Sequence, residues 1–213
     1  MKRIAIICVM RTGGSYSMND VGRLYKMLCK HTTIPFNFVC LTNTHSCDNM
    51  RKPFRIIPLK NEYKGWWAKI ELFRSDLVLN ERILYFDLDT VILQNIDDLL
   101  LRKESFIGLF PFNKKKDKIK NFIASGIMGW INDGSLSFIY DEFDYEKDSF
   151  TYKGDQNYIN EKVQERHILV TFWQDVVDGI FSFKRHIRTG EVSKLCSRIV
   201  CFHGNPRPKD VVL

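Results

Sequence analysis

Several patterns that would assign a protein to a class at first sight are missing from this sequence. Its six cysteines include no C-x-x-C pair. Cys8, Cys40 and Cys201 lie in apolar, strand-like runs where a free thiol behaves as a small hydrophobe, so we predict that the cysteines are reduced and structural. No apolar run approaches the roughly 20 residues that a membrane span requires, so we expect no transmembrane segment.

Repeats, low-complexity tracts and long linkers are also missing, so the sequence offers no place at which to divide the chain. With 213 residues, 45% of them hydrophobic and 27% charged, the chain can bury a substantial core. The N-terminus has a basic start, but its short apolar run and the lack of a cleavage pattern favour a first strand over a signal peptide. We predict one domain over residues 1–213, located in the cytoplasm.

The common phosphate-binding fingerprints are missing as well. The loop RTGGSYS at residues 11–17 has neither the G-x-G-x-x-G nor the G-x-x-x-x-G-K-[ST] spacing, so it predicts neither a dinucleotide site nor a P-loop. Its paired glycines still permit a tight loop and the close approach of a ligand. Arg11 and Tyr16 are the polar residues of interest, and Tyr16 either packs at the surface or offers a flat ring on which a base stacks.

The most informative stretch is RILYFDLDTVIL at residues 82–93, in which an apolar run leads directly into Asp87 and Asp89. Residues 83–86 show no polar alternation, which predicts a strand covered on both faces in a parallel sheet. Such sheets bind ligands at the carboxyl ends of their strands. Two carboxylates one residue apart can both face one hard divalent cation, which can hold a diphosphate. Taken alone, the Asp-x-Asp pattern is also typical of a turn at a strand end.

The hydrophobic pattern elsewhere predicts an alternation of strands and helices. Further strands are predicted at residues 4–9, 38–41, 54–59, 106–110, 122–130, 181–184 and 198–202. Helices are predicted from a cap at Asn19 or Asp20, at 66–79, at 95–100 and from 154 onward. Lys69 falls beside the apolar face of its helix and faces either solvent or a cleft, and Asp155 falls at a capping position.

In combination, these motifs resemble those of the glycogenin-like glycosyltransferases, the family 8 type with the GT-A fold, and more closely their short bacterial and viral relatives. The resemblance runs nearly from end to end. The matching motifs are SY at 15–16, WWAKIELF at 66–73, YFDLDTV at 85–91, NIDDL at 95–99, SG at 125–126, GDQ at 154–156 and HG at 203–204. The resemblance implies a single Rossmann-like α/β domain with a mostly parallel central sheet flanked by helices.

The resemblance also implies a function, namely transfer of a sugar from a nucleotide sugar, commonly a UDP-sugar, with retention of configuration. Asp87, Asp89 and His203, at the ends of neighbouring strands, would bind manganese or magnesium. Asp155 and Gln156 would face the sugar as catalytic residues. The donor-binding residues would be Arg11, Tyr16, Lys69, Asp87, Leu88, Ser125, Gly126, Gly204, Arg207 and Lys209.

The expected partners are the nucleotide sugar and an acceptor, which would be a glycan, a lipid-linked molecule or a protein. No nucleic-acid partner is expected, and the location would be the host cytoplasm if the source is viral. The formal charge of +7 favours an anionic ligand, although solubility alone would explain it. The basic run NKKKDKIK at residues 113–120 is of a kind that usually forms a solvated loop, and the alternative is that it helps to hold an anionic acceptor.

Two departures from the family pattern affect the site. Ala124 stands where the family usually has Asn before Ser-Gly, which bears on sugar recognition. The basic residue that normally follows the final His-x-x-Gly is either Arg207 or Lys209. Without the resemblance, His203 would be read as a hydrogen-bonded structural histidine and Asp155 as a helix N-cap.

Two other functions stay open at this point. DLDTV at residues 87–91 also satisfies the D-x-D-x-[TV] signature of haloacid dehalogenase-type phosphatases, in which Asp87 would be a nucleophile, Asp89 the general acid and the cation magnesium. In those enzymes the strand typically lies near the start of the chain, and the second acid expected after Asp155 is replaced by Ile159. The third possibility is a binding protein for nucleotide sugars without turnover, against which the presence of all three metal ligands argues.

Overall fold

The computed structural model describes residues 4–44, 53–77, 79, 81–112 and 122–211. In this part of the chain the strands form a seven-stranded central sheet and a separate three-stranded sheet. The strands are β1 (Ile4–Met10), β2 (Asn37–Thr42), β3 (Arg55–Pro58), β4 (Arg82–Phe86), β5 (Thr90–Ile92), β6 (Phe106–Leu109), β7 (Ala124–Ile131), β8 (Thr171–Phe172), β9 (Ile180–Ser182) and β10 (Ile199–Cys201).

The central sheet has the order β3-β2-β1-β4-β7-β6-β8 and is mostly parallel. Only the pairs that involve β7 are antiparallel, with β4 on one side and β6 on the other. The small sheet has the order β5-β10-β9. The predicted mixed α/β fold with a mostly parallel sheet is therefore confirmed.

Alternate residues of the inner strands point to opposite faces of the central sheet. Apolar side chains therefore lie on both faces, and helices cover both. The helices are α1 (Met18–His31), α2 (Asp97–Leu100), α3 (Phe138–Asp141), α4 (Tyr145–Thr151), α5 (Asp155–Glu165) and α6 (Trp173–Val176). Leu84 and Phe86 of β4 pack with Leu24 of α1. Ile83 and Tyr85 pack on the other face, in the cluster that contains α3 and α5. All five residues of β4 are buried, as its unbroken apolar run predicts.

Helix α1 buries Val21, Leu24 and Leu28, as its periodicity predicts, but it begins earlier than predicted. The residue that precedes it is Ser17, and the Asp20 carboxylate accepts hydrogen bonds from the Ser17 N–H at 2.9 Å and from the Ser17 hydroxyl at 3.2 Å. This pairing across the first turn stabilises an earlier start than a cap at Asn19 or Asp20 would give.

The predicted α-helix at residues 66–79 is wrong. The structure has a 3₁₀ segment, Gly65–Phe73, whose residues from Trp67 to Phe73 are all buried. Glu71 fixes this segment, because its carboxylate accepts the backbone N–H groups of Lys60 and Asn61, each at 2.8 Å, and pairs with Arg74 at 2.5 Å. A buried polar anchor of this kind outweighs the helical periodicity of the apolar residues.

Two further corrections concern the C-terminal half. The strand predicted at residues 181–184 ends at Ser182, and Phe183–Ile187 forms a π-helical turn instead. Asp155 is the first residue of α5, while Gly154 occupies the cap position, so Asp155 is not the N-cap. The basic run at residues 113–120 lies outside the described residues. Within the described residues, no helix has both the length and the apolar character needed to span a membrane.

Replacing Glu71 with Gln should lower the free energy of unfolding by roughly 3 kcal/mol, because Arg74 loses its buried partner and one backbone N–H loses its acceptor. Urea unfolding followed by circular dichroism measures the change. Asp76→Asn is the matched control, since Asp76 also pairs with Arg74 at 3.1 Å but is exposed, and its loss should lower stability by at most about 1 kcal/mol. Equal losses in the two variants would contradict the anchoring role of Glu71.

Candidate active site

The two predicted acids lie in a turn at the carboxyl end of β4. The Asp87 N–H donates to the Gly126 carbonyl at 2.8 Å, and the Thr90 N–H donates back to the Asp87 carbonyl at 3.0 Å. Strand β5 begins at Thr90 and leaves the central sheet for the small one. The backbone therefore fixes both acids at the edge where a parallel sheet binds its ligands.

Lys69 is the centre of a buried charged cluster. Its ammonium Nζ lies 3.1 Å from Asp87 Oδ1, 3.0 Å from Asp155 Oδ2 and 3.0 Å from Ser125 Oγ, and the residue is 7% exposed. Burial opposes the charge, but Asp155 and Asp87 together hold the pKa of Lys69 above its usual range. Lys69 therefore faces the cleft rather than solvent, and it is charged.

Asp155 enters this cluster because of where α5 begins. Extended Gly154 leads into the helix, and the Asp155 carboxylate accepts the Ser125 hydroxyl at 2.6 Å as well as the Lys69 ammonium. The strand β7 supplies Ser125 and α5 supplies Asp155, so the contact ties two distant parts of the chain together. Gln156 is the next residue of α5, and it lines a cavity that Ser125 and Asp155 also line.

The Asp87 carboxylate is held on several sides. It accepts a hydrogen bond from the Tyr85 hydroxyl, which lies two residues earlier on the same face of β4. Burial raises the pKa of Asp87, and the charge of Lys69 counteracts that rise. A Cβ atom built on Gly126 would stand 3.4 Å from Asp87 Oδ2, so a larger residue there would crowd the carboxylate.

Asp89 is less well compensated than Asp87. Burial and the charge of Asp87 raise the pKa of Asp89 to about 7, against the hydrogen bond that Asp89 Oδ2 accepts from the Tyr16 hydroxyl at 3.1 Å. The Arg207 guanidinium stacks on the Tyr16 ring, 4.6 Å from its centroid. Base stacking was one of two interpretations of Tyr16, and one side of its ring is occupied by a cation.

His203 lies near the acids, but not for the predicted reason. It follows β10, which belongs to the small sheet, so it is not at the end of a strand adjacent to β4. The Phe202 N–H donates to the Asp89 carbonyl at 3.2 Å and brings the two segments together. His203 Nε2 lies 2.7 Å from the Ser182 hydroxyl. Burial and the nearby cations of Lys184, Arg185 and His186 lower the pKa of His203.

The donor atoms of Asp87 and Asp89 fit a hard divalent cation. Carboxylate oxygens are the ligands that manganese and magnesium prefer. Burial is the main reason that the pKa of Asp89 is raised, and the repulsion from Asp87, which a cation would relieve, adds to it. Among the described residues, however, no group of three or more His, Cys, Asp or Glu side chains is placed to hold a metal ion. The structure thus assembles a carboxylate pair, with His203 nearby but bonded to Ser182.

Two cavities meet over these acids. The first, which we call the loop cavity, measures about 710 Å³ and includes the residues of the glycine loop together with Arg11, Tyr16, Leu88 and Arg207. The second, the helix cavity, measures about 460 Å³ and includes Ser125, Gly126, Asp155, Gln156 and His203. Both are lined by Trp66, Lys69, Asp87, Asp89 and Gly204.

The two cavities bring together the predicted site residues with one exception. Lys209 is exposed in the 3₁₀ turn Pro208–Asp210 and lines neither cavity, so the structure places Arg207, not Lys209, beside the acids. Ala124 lines the helix cavity, where the family pattern would place an amide. Arg11 lines the loop cavity and pairs with exposed Glu62.

Sequence reasoning missed several residues of the helix cavity, among them Phe112, Lys184 and Arg185. Both cations belong to the π-helical turn Phe183–Ile187, whereas the sequence predicted a strand that ended at Lys184, so no sequence signal pointed to them. Trp66 was noted within a motif, but its position between the two cavities was not foreseen.

A larger cavity of about 740 Å³ lies elsewhere and is not the candidate site. It is found at the amino ends of β2 and β3 and is lined by aromatic residues such as Tyr25, Phe38 and Phe54. No carboxylate is among its described lining residues. It therefore lacks the charged groups that the acids supply at the opposite edge of the sheet.

No family model and no curated protein sequence matches the chain. Its fold is shared with the glycosyltransferase GlyE of Streptococcus pneumoniae TIGR4, with a TM-score of 0.70 and 11% identity over 100% of this chain and 57% of GlyE. The apo form of GlyE gives a TM-score of 0.65 and 13% identity over 98% of this chain and 56% of GlyE. The chain spans a little over half the length of GlyE, and at these identities the likeness establishes that the two proteins share a fold.

Proposed function

We propose that this chain is a metal-dependent glycosyltransferase that moves a sugar from a nucleotide sugar, with UDP as the nucleotide, to an acceptor. The observation that carries the proposal is the meeting of two cavities over one cluster of fixed charges. A transferase needs two substrates in contact at one point, and a phosphatase needs only one. The fold shared with GlyE supports the same assignment.

In this proposal the nucleotide lies in the loop cavity. The glycine loop lets the backbone approach the ligand, and Arg11, Tyr16 and Leu88 line the space. The Arg207 guanidinium, which stacks on Tyr16 next to Asp89, provides a permanent positive charge for the diphosphate. Lys69 contributes a second one from the buried cluster.

The cation, manganese or magnesium, would be held by Asp87 and Asp89, and His203 would become the third ligand on leaving Ser182. When bound, it would supply a Lewis acid that neutralises charge on the leaving diphosphate. Lys69 pairs with both Asp87 and Asp155 and fixes the positions of their carboxyl groups. The Asp155 side chain would stabilise positive charge that develops on the sugar, and Gln156 would orient the sugar hydroxyls. Retention of configuration is proposed from the family resemblance alone.

The first test is of reaction class. With manganese, the purified protein should release UDP slowly from at least one UDP-sugar without added acceptor, and it should not hydrolyse p-nitrophenyl phosphate. Phosphatase activity that disappears in Asp87→Asn, without turnover of any nucleotide sugar, would contradict the proposal and favour the dehalogenase-type phosphatase. Tight UDP binding without turnover of any UDP-sugar would indicate a binding protein instead.

The second test concerns the cation. Replacing Asp89 with Asn should weaken UDP binding in the presence of manganese by about tenfold or more, since one of two carboxylate ligands is lost. Isothermal titration calorimetry measures the affinity. Asp141→Asn is the matched control, because Asp141 is an exposed acid at the end of α3, outside both cavities. Unchanged binding in Asp89→Asn would refute a cation at this carboxylate pair.

The third test separates the two basic residues of the C-terminal segment. Arg207→Ala should weaken UDP binding by about tenfold, because a charge-assisted hydrogen bond to phosphate is lost. Lys209→Ala should have a clearly smaller effect, since Lys209 is exposed and lines neither cavity. A larger loss in Lys209→Ala than in Arg207→Ala would show that the segment binds the diphosphate in another arrangement.

A further inference from the structure

One wall of the helix cavity carries positive charge that the proposed chemistry does not use. Lys184 and Arg185 lie on the π-helical turn Phe183–Ile187, which follows β9 and faces His203. The Lys184 ammonium donates to the His203 carbonyl. Among the ion pairs of the described residues, none includes Lys184 or Arg185. The charge on this wall is therefore available to a ligand.

This wall is fixed in position by a buried serine. Ser182 is fully buried, and its hydroxyl oxygen accepts the Arg185 N–H at 3.2 Å and contacts His203 Nε2 at 2.7 Å. The Ser182 N–H donates to His186 Nδ1 at 3.0 Å. Isolated π-helical turns often occur at functional sites, and this one presents two adjacent cations to the cavity from a preorganised backbone.

The position of these cations favours the acceptor over the donor. Lys184 and Arg185 line the helix cavity and do not line the loop cavity, which has its own guanidinium in Arg207. A donor whose base lies in the loop cavity places its sugar near the shared residues Asp87 and Asp89. The remainder of the helix cavity, on the side of Lys184 and Arg185, is then left for the second substrate.

The same cavity has apolar surface suited to a saccharide. Trp66 is 59% exposed at the boundary of the two cavities, and Phe112 lies against His203 with ring centroids 5.4 Å apart. A volume of about 460 Å³ is ample for a small ligand. Aromatic surface with a few placed polar groups is the usual composition of such a site.

We propose, building on the proposed function, that the acceptor is an acidic saccharide, one that carries a phosphate or carboxylate group, and that Arg185 and Lys184 bind this anionic group in the helix cavity. Neutral saccharides would leave the two cations without a counter-charge. Arg185 is the principal contact, because Lys184 is already bonded to the His203 carbonyl. The planar guanidinium also matches the geometry of either anion.

Tryptophan fluorescence tests the proposal with the full chain. Trp66 is an exposed reporter at the site, whereas Trp67, Trp130 and Trp173 are 7% exposed or less. UDP binding in the presence of manganese is measured first by calorimetry. The protein saturated with both is then titrated with glucose 6-phosphate, with glucuronic acid and with methyl glucoside, which is neutral.

We expect at least one acidic probe to change the fluorescence and to bind about tenfold or more tightly than methyl glucoside. The two acidic probes distinguish a phosphate from a carboxylate. Arg185→Gln should remove that preference and leave UDP affinity unchanged. Arg188→Gln is the control, because Arg188 is an exposed arginine just after the same turn and does not line the cavity.

Three results would overturn this inference. The first is equal binding of acidic and neutral probes. The second is no binding of either acidic probe at concentrations up to about 10 mM, where even a weak site would be occupied. The third is a loss of UDP affinity in Arg185→Gln, which would assign the Arg185 guanidinium to the donor. Failure of the wild-type protein to bind UDP in the first step would instead count against the proposed function. The two failures are thus separate.

Discussion

A buried ammonium group sets the geometry on which the rest of the candidate site depends. Lys69 is 7% exposed and lies within 3.1 Å of oxygens from Asp87, Asp155 and Ser125. A charge that is buried to this extent is tolerated only when partners compensate it, and removing one partner is strongly destabilising. The four side chains come from a 3₁₀ segment, the turn that follows β4, the strand β7 and the helix α5. Compensation of one charge therefore holds four separate parts of the chain in a single arrangement.

The hydrophobic pattern was sufficient to predict the centre of the fold and the position of the acids. Side chains alternate along a strand, so Leu84 and Phe86 belong to one face of β4, and Ile83 and Tyr85 to the other. Asp87 continues the second face, which is also the face of the Tyr85 hydroxyl that binds it. A continuous apolar run that ends in acids therefore predicted both a buried strand and a charged site at its end.

Features that depend on long-range partners could not be predicted in this way. The sequence at residues 66–79 has a helical pattern, yet the structure has a 3₁₀ segment, Gly65–Phe73. Hydrogen bonds from a neighbouring loop to the buried Glu71 carboxylate hold this segment in place. Lys184 lies in an apolar run typical of a strand, yet the bonds of Ser182 close a π-helical turn there. The Glu71 carboxylate binds backbone groups about ten residues earlier in the chain. The Ser182 hydroxyl binds the backbone three residues later and closes the turn. Hydrophobic periodicity contains no information about such contacts.

The charge balance of the cluster is an argument for a cation in the proposed reaction. Lys69 supplies one positive charge between Asp87 and Asp155, and Arg207 supplies a second above Tyr16, while Asp89 adds a third carboxylate. Burial raises the pKa of Asp89 to about 7, and the charge of Asp87 adds to that rise. A diphosphate placed directly against Asp87 and Asp89 without a cation would meet two carboxyl groups. A divalent ion between the carboxylates and the phosphates would reverse the sign of the interaction, so the arrangement of fixed charges favours binding of the donor and the metal together.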